Sequence, residues 1–219
     1  SLGWSTVPYT HADEPVLTVM HWLLDNGTSG LLNAELELTQ KVPDAAAYGY
    51  SILESGIFIV RATAREGQPL EDVEQLLLGV VAKLKAGGFN QADIDAIVLA
   101  NDIGRKFQQE SNDGRVGKLM ESFIYRQPWA KMLERDERLR KVTREDVMRV
   151  ANEYLGPGFS AVYRRAGKPT VAKIDKPTIT PIEVDPARKS KFGAAIEAMK
   201  APELNPEWLV EGTHYTRHP

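Results

Sequence analysis

Apolar side chains recur along this chain with two different periods, and the period decides which element each stretch can form. Between Asp44 and Ala64, Tyr48, Tyr50 and Ile52 alternate with Ala47, Gly49 and Ser51. After Leu53-Glu54-Ser55-Gly56 an apolar run, Ile57-Phe58-Ile59-Val60, continues through Arg61, Ala62 and Thr63. This pattern predicts two strands with a tight connection. The second carries apolar side chains on both faces, as a central strand does. Small residues on one face of the first leave room for something to approach closely. Ser1 to Val7 reads as a further strand, already under way at the first residue, as in a piece cut from a longer polypeptide.

Elsewhere the helical period dominates. Pro15 suits a first helical turn, where its missing N–H costs nothing, and Val16, Val19, Met20, Leu23 and Leu24 fall on one face before Gly27. A second helix is predicted from Ser29 to Gln40, with Leu31, Leu32, Leu36 and Leu38 apolar and Pro43 as its stop. From Pro69, a stripe of Leu70, Val73, Leu77, Val80, Val81 and Leu84 ends at Gly87-Gly88. Asn90, with Asp93 three residues on, caps a helix carrying Ala96, Leu99, Ile103 and Phe107 towards Ser111. Asn112-Asp113-Gly114 either interrupts that helix or kinks it. Leu119, Met120, Phe123 and Ile124 predict a helix over Val116 to Tyr125. A charged one follows over 129–141 on Trp129, Met132, Leu133 and Leu139. Thr143 caps a last one with Val147, Val150, Ala151 and Tyr154 inward, its carboxylates Glu145 and Asp146 at the positive end of the dipole.

Phe159 to Arg164 reads as a closing strand. Beyond Gly167, prolines at 169, 177, 181, 186, 202 and 206 break every pattern, and Lys189 to Met199 is the one short helix. The expected organisation is a domain at 1–166 and a proline-rich linker or tail at 167–219 leading toward a following domain. The fold class is α+β: a mostly antiparallel sheet covered on one side by helices.

Composition narrows the function. At 219 residues, 42% apolar and 8% aromatic, the chain is that of an ordinary globular protein, and a net charge of −3 gives no field for nucleic acid or an anionic membrane. No run approaches the ~20 apolar residues of a membrane span. Zero cysteines exclude disulfides and thiolate metal sites, which suits cytosol and periplasm equally. The arginines and lysines between Arg126 and Arg149 are interleaved with Glu134, Asp136, Glu137, Glu145 and Asp146, a mixed solvated face rather than a nucleic-acid patch. The glycines form no phosphate cradle, and no Ser sits in a nucleophile elbow. His214 and His218 have metal-clamp spacing only if helical, between Gly212 and Pro219, and read as a frayed end; His21 reads as a helix-boundary residue.

Three stretches carry a resemblance: TVPYTHADEPVLTVMHWLLDNGTSGLL, AAAYGYSILESGIFIVRATAREG and VTREDVMRVANEYLGPG. In this order they resemble the non-catalytic, C-terminal-type domain of the insulinase-like zinc peptidases, the M16 family, over roughly residues 2 to 165. The tail KPTITPIEVDPARKSKFGAAIEAMKAPELNP resembles the linker joining the halves of a four-domain member. The resemblance implies a LuxS/MPP-like metallohydrolase fold. It also implies a partner, the catalytic M16-type domain, in which His-x-x-Glu-His and a distant Glu hold zinc.

No such motif stands here. In His11-Ala12-Asp13-Glu14-Pro15, proline occupies the place of the second histidine and cannot ligate, so the stretch reads as a polar start to the helix. No cofactor is expected in these residues; zinc is expected in the parent's catalytic domain. The family also places an Arg and a Tyr seven residues apart at the junction of helix and hairpin to hold substrate. Lys41 and Tyr48 match that spacing, although Lys lacks the planar two-point contact of Arg; a one-residue slip would put Gln40 and Ala47 there instead, and an exposed Lys with a packed Tyr is the bland alternative. Tyr50 shares the face of Tyr48.

Lys41, Tyr48 and Tyr50 are therefore the expected substrate-facing residues. The expected function is to enclose and position a peptide beside a catalytic domain outside these residues, with Ala47, Gly49 and Ser51 leaving room for that neighbour or for the chamber wall. The alternatives are a scaffold module of an M16-like protein that has lost proteolysis, and an unrelated α+β binding domain. A large processing peptidase without cysteines leans toward a bacterial periplasm, and the compartment is otherwise left open.

Overall fold

In a computed structural model describing residues 1–168, 175–185, 187–199 and 210–216, the chain divides into two compact units, Ser1–Ala166 and Gly167–Pro219. The first unit is built on one antiparallel sheet of β1 (Leu2–Thr6), β2 (Asp44–Ser51), β3 (Gly56–Thr63) and β4 (Ser160–Ala161), in the order β2-β3-β1-β4. β3 is internal, as its two apolar faces require: Leu2 lies opposite Val60 on β1, and Ala47 opposite Val60 on β2. Period-two alternation sends Leu2, Trp4, Ala45, Ala47, Phe58 and Val60 to the core.

Helices cover only that inner face. α1 (Glu14–Leu24) packs on β2, α2 (Leu70–Lys85) on β3, and α6 (Arg144–Tyr154) on β1 and on both of those helices. The stripe Val73, Leu77, Val80, Val81 and Leu84 of α2 is buried throughout. α2 closes as its glycines demand: Gly87, at φ +74°, donates to Leu84 O and Gly88 to Lys83 O, the paired bonds of a left-handed helix stop. Both expected capping boxes are present, Asn90 with Asp93 and Thr143 with Asp146. Trp4 Nε1 donates to Gly156 O at 2.7 Å, and its ring lies 5.5 Å from that of Phe159, tying the end of α6 to β1.

α3 (Gln91–Glu110), α4 (Asn112–Ile124) and α5 (Trp129–Leu139) complete the unit, α1 meeting α3 and α5. α3 and α4 are separate helices. Ser111 is extended and accepts from Gly114 N, and a side chain on Gly114 would run into the carbonyl of Gln108.

Two expectations need correction. The helix expected over Ser29–Gln40 is shorter, covering 31–37, and its core, Asn33–Glu37, is π-helical: Leu38 N donates to Asn33 O and Lys41 N to Leu36 O. The wider turn keeps Leu36 buried but rotates Leu38 out to 73% exposure, and Gln40 at φ +56° ends it before Pro43. The closing strand is two residues long, followed by one further pairing, Val162 N to Ser1 O. The stripes Leu99, Ile103 and Phe107 of α3 and Val116, Met120 and Phe123 of α4 point to water.

Among the described residues of the second unit none is buried, and α7 (Lys191–Ala198) is its helix, capped by Ser190. Residues 175–185 have no regular structure. His214 lies in a turn and accepts from Val210 N; His218 lies outside the described residues.

Candidate functional site

Among the described residues, no helix covers the sheet face away from α1, α2 and α6. On β2, Tyr48 and Tyr50 stand opposite Ile59 and Ile57 of β3, and Gly3 of β1 leaves the two isoleucines lying over its backbone. Tyr50 is 62% exposed, with Tyr48 and Ile57 more than a third open. The Arg61 guanidinium sits 5.1 Å above the Tyr48 ring, an aromatic–cation pair across the hairpin. Lys41 is exposed in the turn before β2; its backbone is held by Leu36 O and by Gln68 Nε2, and it makes no contact with Tyr48 among the described residues. An Arg does accompany Tyr48, but from the neighbouring strand. Arg61 is its diagonal cross-strand neighbour, a relation visible only once the hairpin register is fixed.

The small-residue face of β2 takes a different neighbour from the one expected. A Cβ on Gly49 would stand 3.7 Å from His21 Cβ and from Leu17 O, so what approaches closely is this domain's own α1, and that face is closed to a companion. The free edge of β2 is also occupied. Glu37 accepts from Ala45 N at 2.7 Å and Asp25 from Ala47 N at 3.2 Å, while Asn33 Nδ2 holds the other Glu37 oxygen at 2.7 Å. The backbone donors of Ala45 and Ala47 that an added strand would need are thereby taken.

At the start of α1 the acids are committed to arginines. Glu14, buried, receives two bonds from Arg135 at 2.6 and 2.7 Å and one from Thr18 at 2.9 Å. Asp13 accepts from Arg149 at 2.6 Å and from Tyr154 at 2.9 Å. The Arg149 hydrogen bond, with that of Tyr154, holds the Asp13 carboxyl below its ordinary value, and burial together with Asp13 pushes the Tyr154 phenol up to about 12. Tyr9 lies between the Arg135 guanidinium and the stacked Tyr125 ring, donating to Glu121 at 3.0 Å. Burial first of all raises its phenol pKa. His11 Nδ1 accepts from Asp13 N. These residues do not fit a zinc ion: each carboxylate at the motif's position is already neutralised by an arginine, and among the described residues no three His, Cys, Asp or Glu side chains cluster.

A groove of about 620 Å³ lies between the end of α1 and α3–α5. Its charges pair internally, Asp102 with Arg105 and Arg140, while Asp136 lies against Arg105.

Residues 1–101 match the family described as the peptidase M16 inactive domain. Over those residues the chain resembles an M16-type inactive domain. It is 22% identical over 156 residues to the zinc protease PqqE of Helicobacter pylori, a match that covers 71% of this chain and 35% of that protein. Among solved structures it is similar to a protease from Helicobacter pylori (TM-score 0.67, 22% identity, 71% of this chain and 38% of that one). It is similar too to an inactive peptidase domain from Bordetella parapertussis (TM-score 0.61, 17% identity, 73% and 91%). The chain thus spans little more than a third of the length of the zinc protease it matches. The α+β sheet with helices on one side is the fold it shares with these structures.

Proposed function

We propose that this M16-like domain helps to enclose and position a peptide substrate beside a zinc-bearing catalytic domain outside these residues, in a metalloendopeptidase of the M16 type. The observation that carries the reading is the bare sheet face. Tyr48, Tyr50 and Ile57 offer an apolar surface with hydroxyl tips, suited to extended peptides of varied sequence, and Arg61 and Lys41 supply positive charge for a peptide carboxylate. Occupied donors along the β2 edge favour side-chain contacts on the face over strand addition at Ala45 and Ala47.

The test uses the intact protein. Tyr48→Ala with Tyr50→Ala should raise KM for an unfolded peptide several-fold while zinc content and kcat stay near wild type. Lys41→Ala should act in the same direction more weakly, since Lys41 stands ahead of the strand. An unchanged KM would remove these residues from the substrate path. Absence of turnover in an intact protein whose companion domain lacks its zinc ligands would favour the scaffold role.

A further inference from the structure

α4, and α3 beyond Val98, are amphipathic helices turned inside out; nearer its start α3 buries Ile94 and packs Ile97 and Val98 against the core. On α4 the residues facing the domain are polar: Lys118 pairs with Glu121 at 3.0 Å, and Glu121 accepts from the buried Tyr9 hydroxyl. No α4 residue is buried. On α3 the half-buried positions beyond Val98 are Asn101, Asp102 and Arg105. The apolar stripes, Leu99, Ile103 and Phe107 on α3 and Val116, Met120 and Phe123 on α4, are 46 to 85% exposed. The spacings are four and four on α3 and four and three on α4, so each set forms one continuous stripe along its helix. Water against so much apolar surface is unfavourable by about 25 cal/mol per Å².

We propose that α3 and α4 are the docking surface for a companion folded domain, joined to this one permanently. Three features select that occupant. Side chains this large and this exposed supply a large part of the ~800 Å² that each partner gives to a standard interface. The stripes themselves hold no charge, the composition of a lasting interface rather than of a surface that is alternately wet and covered. Helices also offer no free backbone edge, so the surface suits a preformed face better than an extended peptide. The inference rests on the proposed function only in requiring a companion domain, consistent with relatives of which this chain spans 35 to 38%; that companion need not be catalytic.

The chain contains no cysteine, which makes thiol mapping clean. Val116→Cys and Met120→Cys are introduced singly, with Ile57→Cys on the bare sheet face and Lys141→Cys on an exposed turn as references. Each is labelled with a maleimide, as the isolated chain and within the intact protein, and read by peptide mass. Labelling at 116 and 120 should fall by an order of magnitude or more in the intact protein, with Lys141→Cys unaffected. Equal rates in the two forms would overturn the proposal. A dimeric isolated chain already protected at 116 and 120 would assign the face to a second copy and overturn it as well. Peptide turnover enters neither readout, so a failed substrate role and a failed docking surface give separate results.

Discussion

At the residue scale, the start of α1 separates what its chemistry suggests from what its neighbours allow. Read along the chain, His11, Asp13 and Glu14 are three potential ligands in four residues. Proline at position 15 argued against a metal, but nothing in the sequence named the partners, because Arg135 and Arg149 are more than a hundred residues away. Removing one member of a buried pair strands the other, so Arg135→Met should cost about 3 kcal/mol in urea unfolding, with a smaller loss in Glu14→Leu/Arg135→Met. Asp13 gives a pH signature. Its folded pKa lies below the ordinary 3.8 because Arg149 and Tyr154 bind the charged form. A depressed carboxyl adds stability that is complete above the unfolded value and is lost as pH falls through the folded one. Stability should therefore fall less steeply between about pH 4 and pH 2 in Asp13→Asn than in the wild type, as read from urea midpoints. Parallel acid limbs in the two proteins would show that the Arg149 contact contributes nothing in solution.

At the element scale, periodicity located the helices better than it oriented them. The stripes of α2 and α6 were legible as core because their opposite faces are charged. The same reasoning placed α3 and α4 along the chain but did not say which way their stripes face. Apolar residues at helical spacing mark one face as in need of cover, and leave open whether that cover comes from this chain or another. The π-helical turn was also out of reach, since its extra residue leaves no mark in a pattern of leucines that fits an ordinary helix equally well. That turn has a consequence for the sheet, because it delivers Glu37 to the N–H of Ala45, just as the end of α1 delivers Asp25 to Ala47. Glu37→Leu and Asp25→Ala should each cost about 1 kcal/mol for the lost charge-assisted bond. Together they should open the β2 edge, so that thioflavin-positive aggregation on mild heating speeds up relative to either single change. Loss of stability without faster aggregation would mean that the bare sheet face, rather than the edge, limits association.

At the scale of the whole molecule, the sheet's outer side and the outer side of α3 and α4 both present apolar residues to water, while the core between them is complete without either. The hairpin, the order of elements and the family likeness were all readable in advance because they depend on local pattern. Which surfaces stay bare was not, since exposure is a property of the packed whole. The difference makes a sharp thermodynamic prediction. Phe107→Ser with Phe123→Ser removes two of the largest side chains in the chain, yet in the isolated protein stability should change by no more than about 0.5 kcal/mol per site, as for other surface positions. Leu84→Ala, deleting fewer atoms from α2 but from a fully buried position, should cost about 2–5 kcal/mol. In the intact protein the ordering should change: the serine pair should lower the melting transition of the assembled domains and increase protease nicking between them, because the face it alters would there be covered. A serine pair that destabilises the isolated chain as much as Leu84→Ala would mean that α3 and α4 fold against their own domain in solution, and that the stripes belong to its core.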